Sequence, residues 1–397
     1  MTCRPKRFAL VHLDPTFDSV PSLRSAAHML AEAGAFVDVF TSTAKYCKAP
    51  KSSHERITIR PALALPRIER RGVFRFLPAR FQNYQRRLQV RSEHRRLPYS
   101  AVIAVDPEGL AYACDSLFKG VRIPFVYFSL EILFQRECKT DALRVLKERE
   151  IALSRQCKFA IIQDAERARL LAAENGLCER DFRLIPNSPL GETTDKRSTW
   201  LRDRLGIASD QLIVLQAGTH CVWTGLPHLL MSAAKWPENW SLVIQTRSSP
   251  DPLSDYWKLM ESLASRVGAK ILSEPLNASE YSELVASADV GCAFYLPQPS
   301  CRFTGENIRF VGRSSGKAAY YLMNGLPILT NSDSNLSEIV RKAGCGEIVD
   351  SPFETNVALT RIVENYQTYS RNARNCFREF FSFREYFEPV VRELFAL

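Results

Sequence analysis

The sequence has few of the short signatures that assign a chemistry outright, and each absence narrows what the chain can be. Its 11 cysteines are scattered. None stands in a Cys-x-x-Cys pair or beside histidines at zinc-ligand spacing, which argues against a cysteine-held metal. With no secretory signal in view, the same scatter predicts free thiols in a reducing, cytoplasmic setting. No stretch of about 18 uncharged apolar residues occurs, so no membrane-spanning helix is expected. Val121 to Phe134 comes nearest and is broken by Arg122, Pro124 and Glu131. No internal repeat or low-complexity tract is present. Acidic residues are in short supply: 43 Asp and Glu face 53 Lys and Arg, a formal charge of +10, and that surplus implies an anionic partner.

What is present is length and alternation. A chain of 397 residues with 46% apolar content can bury two cores, and ordinary domain sizes predict two or three domains. Arg7 to Leu13 is an apolar run suited to a buried parallel strand. A turn at Asp14 to Asp18 follows, then a helical pattern from Ser22 to Ala33, a stop at Gly34 and a strand from Phe36 to Phe40. This β-α-β start predicts an α/β fold with a doubly wound parallel sheet. It lacks GxGxxG, which disfavours a dinucleotide at this point. Strands at Ala101 to Val105, Pro124 to Glu131 and Phe159 to Gln163, with helices from Leu110 to Phe118, Asp141 to Lys158 and Ala165 to Glu174, fill out the first half.

From Leu212 the alternation begins again, with further strands at Trp240 to Gln245, Ile271-Leu272 and Val290 to Tyr295. We therefore expect a Rossmann-like domain over 1–190 and a second over 191–375, with Gly191 to Ser198 as the linker. Residues 376–397, with Phe377, Phe380, Phe381, Phe383, Tyr386, Phe387 and Phe395, read as an amphipathic terminal helix packing on the body.

In open α/β sheets ligands bind outside the carboxyl ends of the strands. Asp106, Glu108 and Glu131 stand there in the first half and are candidates for direct chemistry. Asp106 before a proline and Glu108 near a helix start fit turn and capping roles as well. In the second half Gly218, Thr219 and His220 follow a strand. His220 either acts on a phosphate or sugar or is a structurally satisfied histidine. Arg247, at the end of the next strand, faces an anionic ligand or a neighbouring carboxylate.

The stretch from Gly305 to Val340 is the most informative. Arg313-Ser314-Ser315-Gly316 is a glycine-bearing turn whose backbone can approach a ligand closely. Lys317 opens a helix running to Met323, which Asn324-Gly325 ends. The free N–H groups at that start, with Arg313 and Lys317 beside them, predict an anion site, phosphate above all. An ordinary capped helix start would have the same composition. Arg67 to Arg96 is a separate feature, with arginines set among Phe74, Phe76, Leu77, Phe81, Tyr84, Leu88 and Val90. It suits an anionic membrane surface or an anionic acceptor, or a solvated helix face. Nothing in it resembles a nucleic-acid-binding motif, and no nucleic-acid partner is expected.

The pattern SSGKxxxYLxxGLPIL from Ser314, followed by SEIV from Ser337, resembles the donor-binding segment of GT-B glycosyltransferases, in particular the family-4-like group. Leu212 to His220 with Trp223 to Leu226, VDPEGL from Val105 and LIPNSP from Leu184 are similar to other segments of the same family. The resemblance implies two facing Rossmann-like domains, with a last helix crossing back to the N-terminal domain. It implies a nucleotide-diphosphate sugar as donor, a uridine diphosphate sugar being one candidate, and no further cofactor. Its diphosphate would lie against Gly218, Thr219 and the helix start from Arg313 to Lys317, with His220, Arg247, Tyr320 and Glu338 in the same site. The acceptor, a glycan or lipid-linked glycan of polysaccharide biosynthesis at an inner-membrane face, would bind near Asp106, Glu108 and Glu131. Domain closure would exclude water. No Asp-x-Asp motif occurs, so transfer is expected to be metal-independent, with retention of configuration. In one respect the chain departs from the family. Two glutamates separated by seven residues fall on Gly312 and Tyr320 here, so the glutamate that would hold the ribose is missing, and Glu306 and Glu338 are the candidates to replace it. A sugar-nucleotide epimerase on the same fold and a non-catalytic binding protein are the alternatives that this departure leaves open.

Overall fold

Apolar runs that can be buried on both faces become the central strands. Phe8, Ala9, Leu10 and Val11 are each 0% exposed, as a strand covered by helices on either side requires. The computed structural model describes residues 5–42, 54–61, 87–247, 249–251, 253–299 and 302–397. The basic stretch from Arg67 to Arg86 lies outside the described residues. The chain divides into two compact units. Of the described residues, one unit holds those up to Ile185 together with Arg384–Leu397, and the other holds those from Pro186 to Phe383.

In the first unit the strands are β1 (Arg7–His12), β2 (Phe36–Thr41), β3 (Ile57–Pro61), β4 (Ala101–Val105), β5 (Phe125–Phe128), β6 (Ala160–Ile162) and β7 (Phe182–Leu184). They lie in the order β3-β2-β1-β4-β5-β6-β7. Every pairing is parallel, with Leu10 opposite both Val39 and Ile103. The second unit repeats the plan with β8 (Leu212–Gly218), β9 (Trp240–Thr246), β10 (Lys270–Leu272), β11 (Val290–Cys292), β12 (Ile328–Asn331) and β13 (Gly346–Val349). Their order is β10-β9-β8-β11-β12-β13, again parallel throughout. Two apolar clusters cover the two faces of this sheet, one around Leu215, Tyr321 and Ile328, the other around Val214, Leu230 and Phe294.

Three elements differ from the sequence expectation. Asp106 to Gly109 is not a turn before the helix but its first turn, since the helix spans Asp106–Tyr112. β11 stops at Cys292, and Tyr295 instead donates its amide to Asn331 Oδ1 at 2.7 Å. The aromatic tail is divided: Phe377 and Phe381 enter the core of the second unit, while the helix Phe383–Ala396 supplies the first unit. There Phe395 meets Phe8 with ring centroids 5.6 Å apart. Arg183 holds Glu393 through Nε at 2.7 Å and Nη2 at 2.6 Å. The segment Gly191 to Ser198 lies along the second unit, where Thr194 and Ser198 donate to Met323 O at 2.9 Å and Ala286 O at 3.1 Å. The described part of the basic stretch, residues 87–96, is helical. Its Glu93 holds Arg7 at 2.8 Å and Arg60 at 3.0 Å.

Candidate functional site

The order of the second sheet reverses between β8 and β11, which places the ligand crevice of an α/β sheet outside the carboxyl ends of those strands. Gly218 ends β8 with φ +109, and a Cβ there would meet no atom within 4 Å. The glycine is therefore required by backbone conformation, and the space beside it is open. Gly218 pairs with Thr246 across to β9 and accepts the amide of Arg247 at 2.9 Å. Tyr321 fixes this strand end from below. Its ring lies over Gly291, where a Cβ would come within 2.2 Å of it. Its hydroxyl accepts from Ala217 N at 3.1 Å and donates to Leu215 O at 3.3 Å.

The helix Gly316–Met323 starts beside that strand end. Ser315 caps it, its Oγ accepting from Ala318 N at 3.2 Å while also bonding the Tyr295 hydroxyl. Asn187 holds the preceding turn through Arg313 O at 2.9 Å and Ser314 O at 3.0 Å. Arg313, Ser314, Gly316 and Lys317 are each half-buried. The Lys317 ammonium is shielded from solvent and has no hydrogen-bond partner among the described residues. It stands 5.1 Å from the centroid of the Tyr295 ring, which itself stacks on Trp223 at 6.1 Å. Burial drives its pKa down to about 8, against a smaller upward pull from Cys292.

His220 turns back under the loop, with Nε2 2.8 Å from Gln245 O. Burial first, and the charge of Lys317 after it, lower its pKa to about 4 in spite of that bond, so the ring is neutral near pH 7. Its Nδ1, Gln245 Oε1 and Thr246 Oγ1 are shielded and without hydrogen-bond partners among the described residues. Buried polar groups are nearly always paired. Here unpaired ones from the β8 loop and the β9 end gather at one end of one sheet, together with the Lys317 ammonium, which has no hydrogen-bond partner among the described residues. That arrangement suits a ligand carrying both negative charge and hydroxyl groups.

The structure therefore brings Gly218, Thr219, His220, Arg247 and the Arg313–Lys317 turn to the same end of the second sheet. Tyr320 is turned into the core, 8% exposed, its ring edge-on to Tyr281 at 4.8 Å. The charge of Arg247 reaches that same Tyr281. Glu338 stands exposed in the first turn of the helix Leu336–Ala343, and Glu306 lies 3.9 Å from Arg309. Gln245, Thr246, Tyr295 and Cys292 went unread as site residues. A readable signal existed for the first two, as polar residues closing the apolar run of β9.

In the first unit Asp106 adopts φ +56, rare for a residue with a side chain. Its Oδ1 accepts the amides of Leu130 at 2.7 Å and Glu131 at 2.9 Å, tying the exits of β4 and β5 together. Burial is the largest influence on its carboxyl, whose pKa is pushed up to about 8. Glu131 and Glu108, the latter in the same first helical turn as Asp106, are half-buried. Among the described residues no group of three or more His, Cys, Asp or Glu could hold a metal ion, and no helix is long and apolar enough to cross a membrane.

No family model matches the chain, and no curated protein matches it by sequence. Solved structures do. Sucrose-phosphate synthase from Thermosynechococcus elongatus is similar at 17% identity over 99% of this chain and 100% of that one, with a TM-score of 0.71. WaaG, a glycosyltransferase involved in lipopolysaccharide biosynthesis, is similar at 16% identity over 98% and 99%, TM-score 0.66. Anabaena HepE in complex with UDP-glucose is similar at 15% identity over 98% and 100%, TM-score 0.68. Likeness of this extent at such low identity is likeness of architecture. Two parallel sheets in Rossmann order, together with the terminal helix given to the first unit, make the chain a GT-B fold protein.

Proposed function

We propose that this protein is a glycosyltransferase that binds a nucleotide-diphosphate sugar on its second unit and transfers the sugar to a glycan or lipid-linked acceptor. The observation that carries the reading is Lys317: a solvent-shielded ammonium with no hydrogen-bond partner among the described residues, beside a helix start and the open space at Gly218. A diphosphate supplies the missing charge, and the helix amides add to its binding. As the glycosidic bond breaks, negative charge grows on the leaving diphosphate, and Lys317 with Arg313 stabilises it where it forms. On this reading the transfer is metal-independent, and by the family likeness it retains configuration. The HepE complex with UDP-glucose supports a uridine nucleotide as a first choice to test.

Asp106, Glu108 and Glu131 are proposed to serve the acceptor from the first unit, with Asp106 setting the Leu130–Glu131 backbone and the half-buried Glu131 offering its carboxylate. The basic stretch from Arg67 to Arg96 suits contact with an anionic bilayer. Flotation with anionic liposomes at low salt should carry the protein upward, and failure to float removes the membrane part.

A second reading draws on Gly312 and on the buried ring of Tyr320, which stand where the family carries glutamates: a binding protein on the same fold. Thermal-shift measurements against uridine, guanosine and adenosine diphosphates and their sugars separate the two. Stabilisation followed by slow hydrolysis of the donor supports the transferase. Stabilisation by none of them removes the donor site. Isomerisation of the donor with no acceptor present would indicate an epimerase instead.

A further inference from the structure

The loop after β8 supports a sharper assignment, which rests on the donor reading above. His220 Nε2 lies 2.8 Å from a backbone carbonyl, that of Gln245. A carbonyl oxygen only accepts, so Nε2 carries the proton and donates it. In the neutral ring the lone pair then belongs to Nδ1. That nitrogen is shielded and has no hydrogen-bond partner among the described residues. The Lys317 charge close by opposes a second proton on the ring, so Nδ1 remains an acceptor in search of a donor. A diphosphate oxygen at neutral pH is itself an acceptor and cannot pair with it. A hydroxyl can.

We propose that His220 is a specificity residue whose Nδ1 accepts a hydrogen bond from a hydroxyl of the nucleotide sugar, while Lys317 takes the diphosphate. The two side chains divide the ligand by chemistry, anion to the ammonium and hydroxyl to the imidazole. A site built to hydrogen-bond a hydroxyl discriminates strongly against ligands without it, because the buried acceptor is then left unpaired. The hydroxyl comes from either the ribose or the transferred sugar, and the ligand series below tells them apart.

Two substitutions separate the two duties of the ring. His220→Gln can still donate toward Gln245 O but gives up the acceptor at Nδ1. His220→Asn keeps a polar atom near Nδ1 and gives up the Gln245 bond. The full chain and both variants are titrated by calorimetry with inorganic pyrophosphate, uridine diphosphate, its 2′-deoxy form and UDP-glucose, and with the guanosine and adenosine counterparts. The expected result is that His220→Gln weakens the hydroxyl-bearing ligands by roughly tenfold and leaves pyrophosphate within about a factor of two, while His220→Asn stays nearer the parent. A loss seen with uridine diphosphate but not its 2′-deoxy form assigns the hydroxyl to the ribose. A loss confined to UDP-glucose assigns it to the sugar. Pyrophosphate falling in step with the nucleotides would overturn the proposal. So would His220→Gln binding like the parent, or His220→Asn proving the weaker variant, since the ring would then only hold the loop. If the parent chain binds no nucleotide at all, the donor reading fails and this assignment fails with it. Binding by the parent with His220→Gln unaffected removes this assignment alone.

Discussion

Lys317 brings a positive charge into surroundings that give it no hydrogen-bond partner among the described residues. Removing that charge should therefore act oppositely on folding and on binding. Lys317→Met keeps most of the stem and drops the ammonium, and such replacements at buried charges are often neutral or stabilising. We expect urea denaturation to show stability equal to or above the parent, while nucleoside diphosphate affinity falls by about 1.5–3 kcal/mol, roughly 10- to 150-fold. The pH dependence follows from the same group. Its folded pKa of about 8 lies below the ordinary 10.5, so between these values the unfolded chain holds the proton and the folded chain has released it. Stability from this residue therefore rises with pH across that window and is lowest below it. The difference in stability between parent and Lys317→Met should shrink accordingly as pH is raised. Asp106 has the reverse sign. Its carboxyl moves from the ordinary 3.8 up to about 8, so the unfolded chain loses its proton first and stability falls as pH rises through that interval. Asp106→Asn keeps an oxygen for Leu130 and Glu131 and tolerates a positive φ. We expect it to be at least as stable as the parent above pH 8, with the pH slope reduced.

At the scale of elements, the site depends on how the β8 end and the Gly316–Met323 helix are held together, and Tyr321 is the side chain that does so. Tyr321→Phe keeps the ring over Gly291 but leaves Ala217 N and Leu215 O without their shared hydroxyl. The expected cost is about 1–3 kcal/mol, read from the midpoint of chemical denaturation. The elements differ in how far they could be read from sequence. The starts of β1, β4, β8 and β9 were legible because strands buried on both faces need unbroken apolar runs. β3 and β13 were not, since both are sheet edges, where one side of the strand needs no cover and the sequence reads Ile-Thr-Ile-Arg-Pro or Gly-Glu-Ile-Val. The turn at Ser314 to Lys317 could be read as a candidate anion site because its residues are contiguous. Gln245, Thr246 and Tyr295 were not, since only the strand order brings residues of β9 and of the segment after β11 to the same end of the sheet.

For the whole molecule, the terminal helix from Arg384 onward belongs to the first unit. Phe387 and Leu394 are 0% exposed and Val390 is 2% exposed, and burial of such side chains contributes about 1.5–3 kcal/mol each. A chain ending after Phe383 should lose protection from hydrogen exchange in β1 and β2, with amides of β8 and β9 unchanged. Equal loss in both sheets would show that the two units do not unfold separately. The central claim remains that a diphosphate supplies the charge Lys317 lacks, and calorimetric titration of the full chain with uridine, guanosine and adenosine diphosphates, run in buffers of different ionisation enthalpy at pH 8, tests it most directly. An anion raises the pKa of an ammonium it pairs with, so the account predicts binding by at least one nucleotide with net proton uptake, both lost in Lys317→Met. Binding that survives intact in Lys317→Met, or no binding by any of the three, would contradict it.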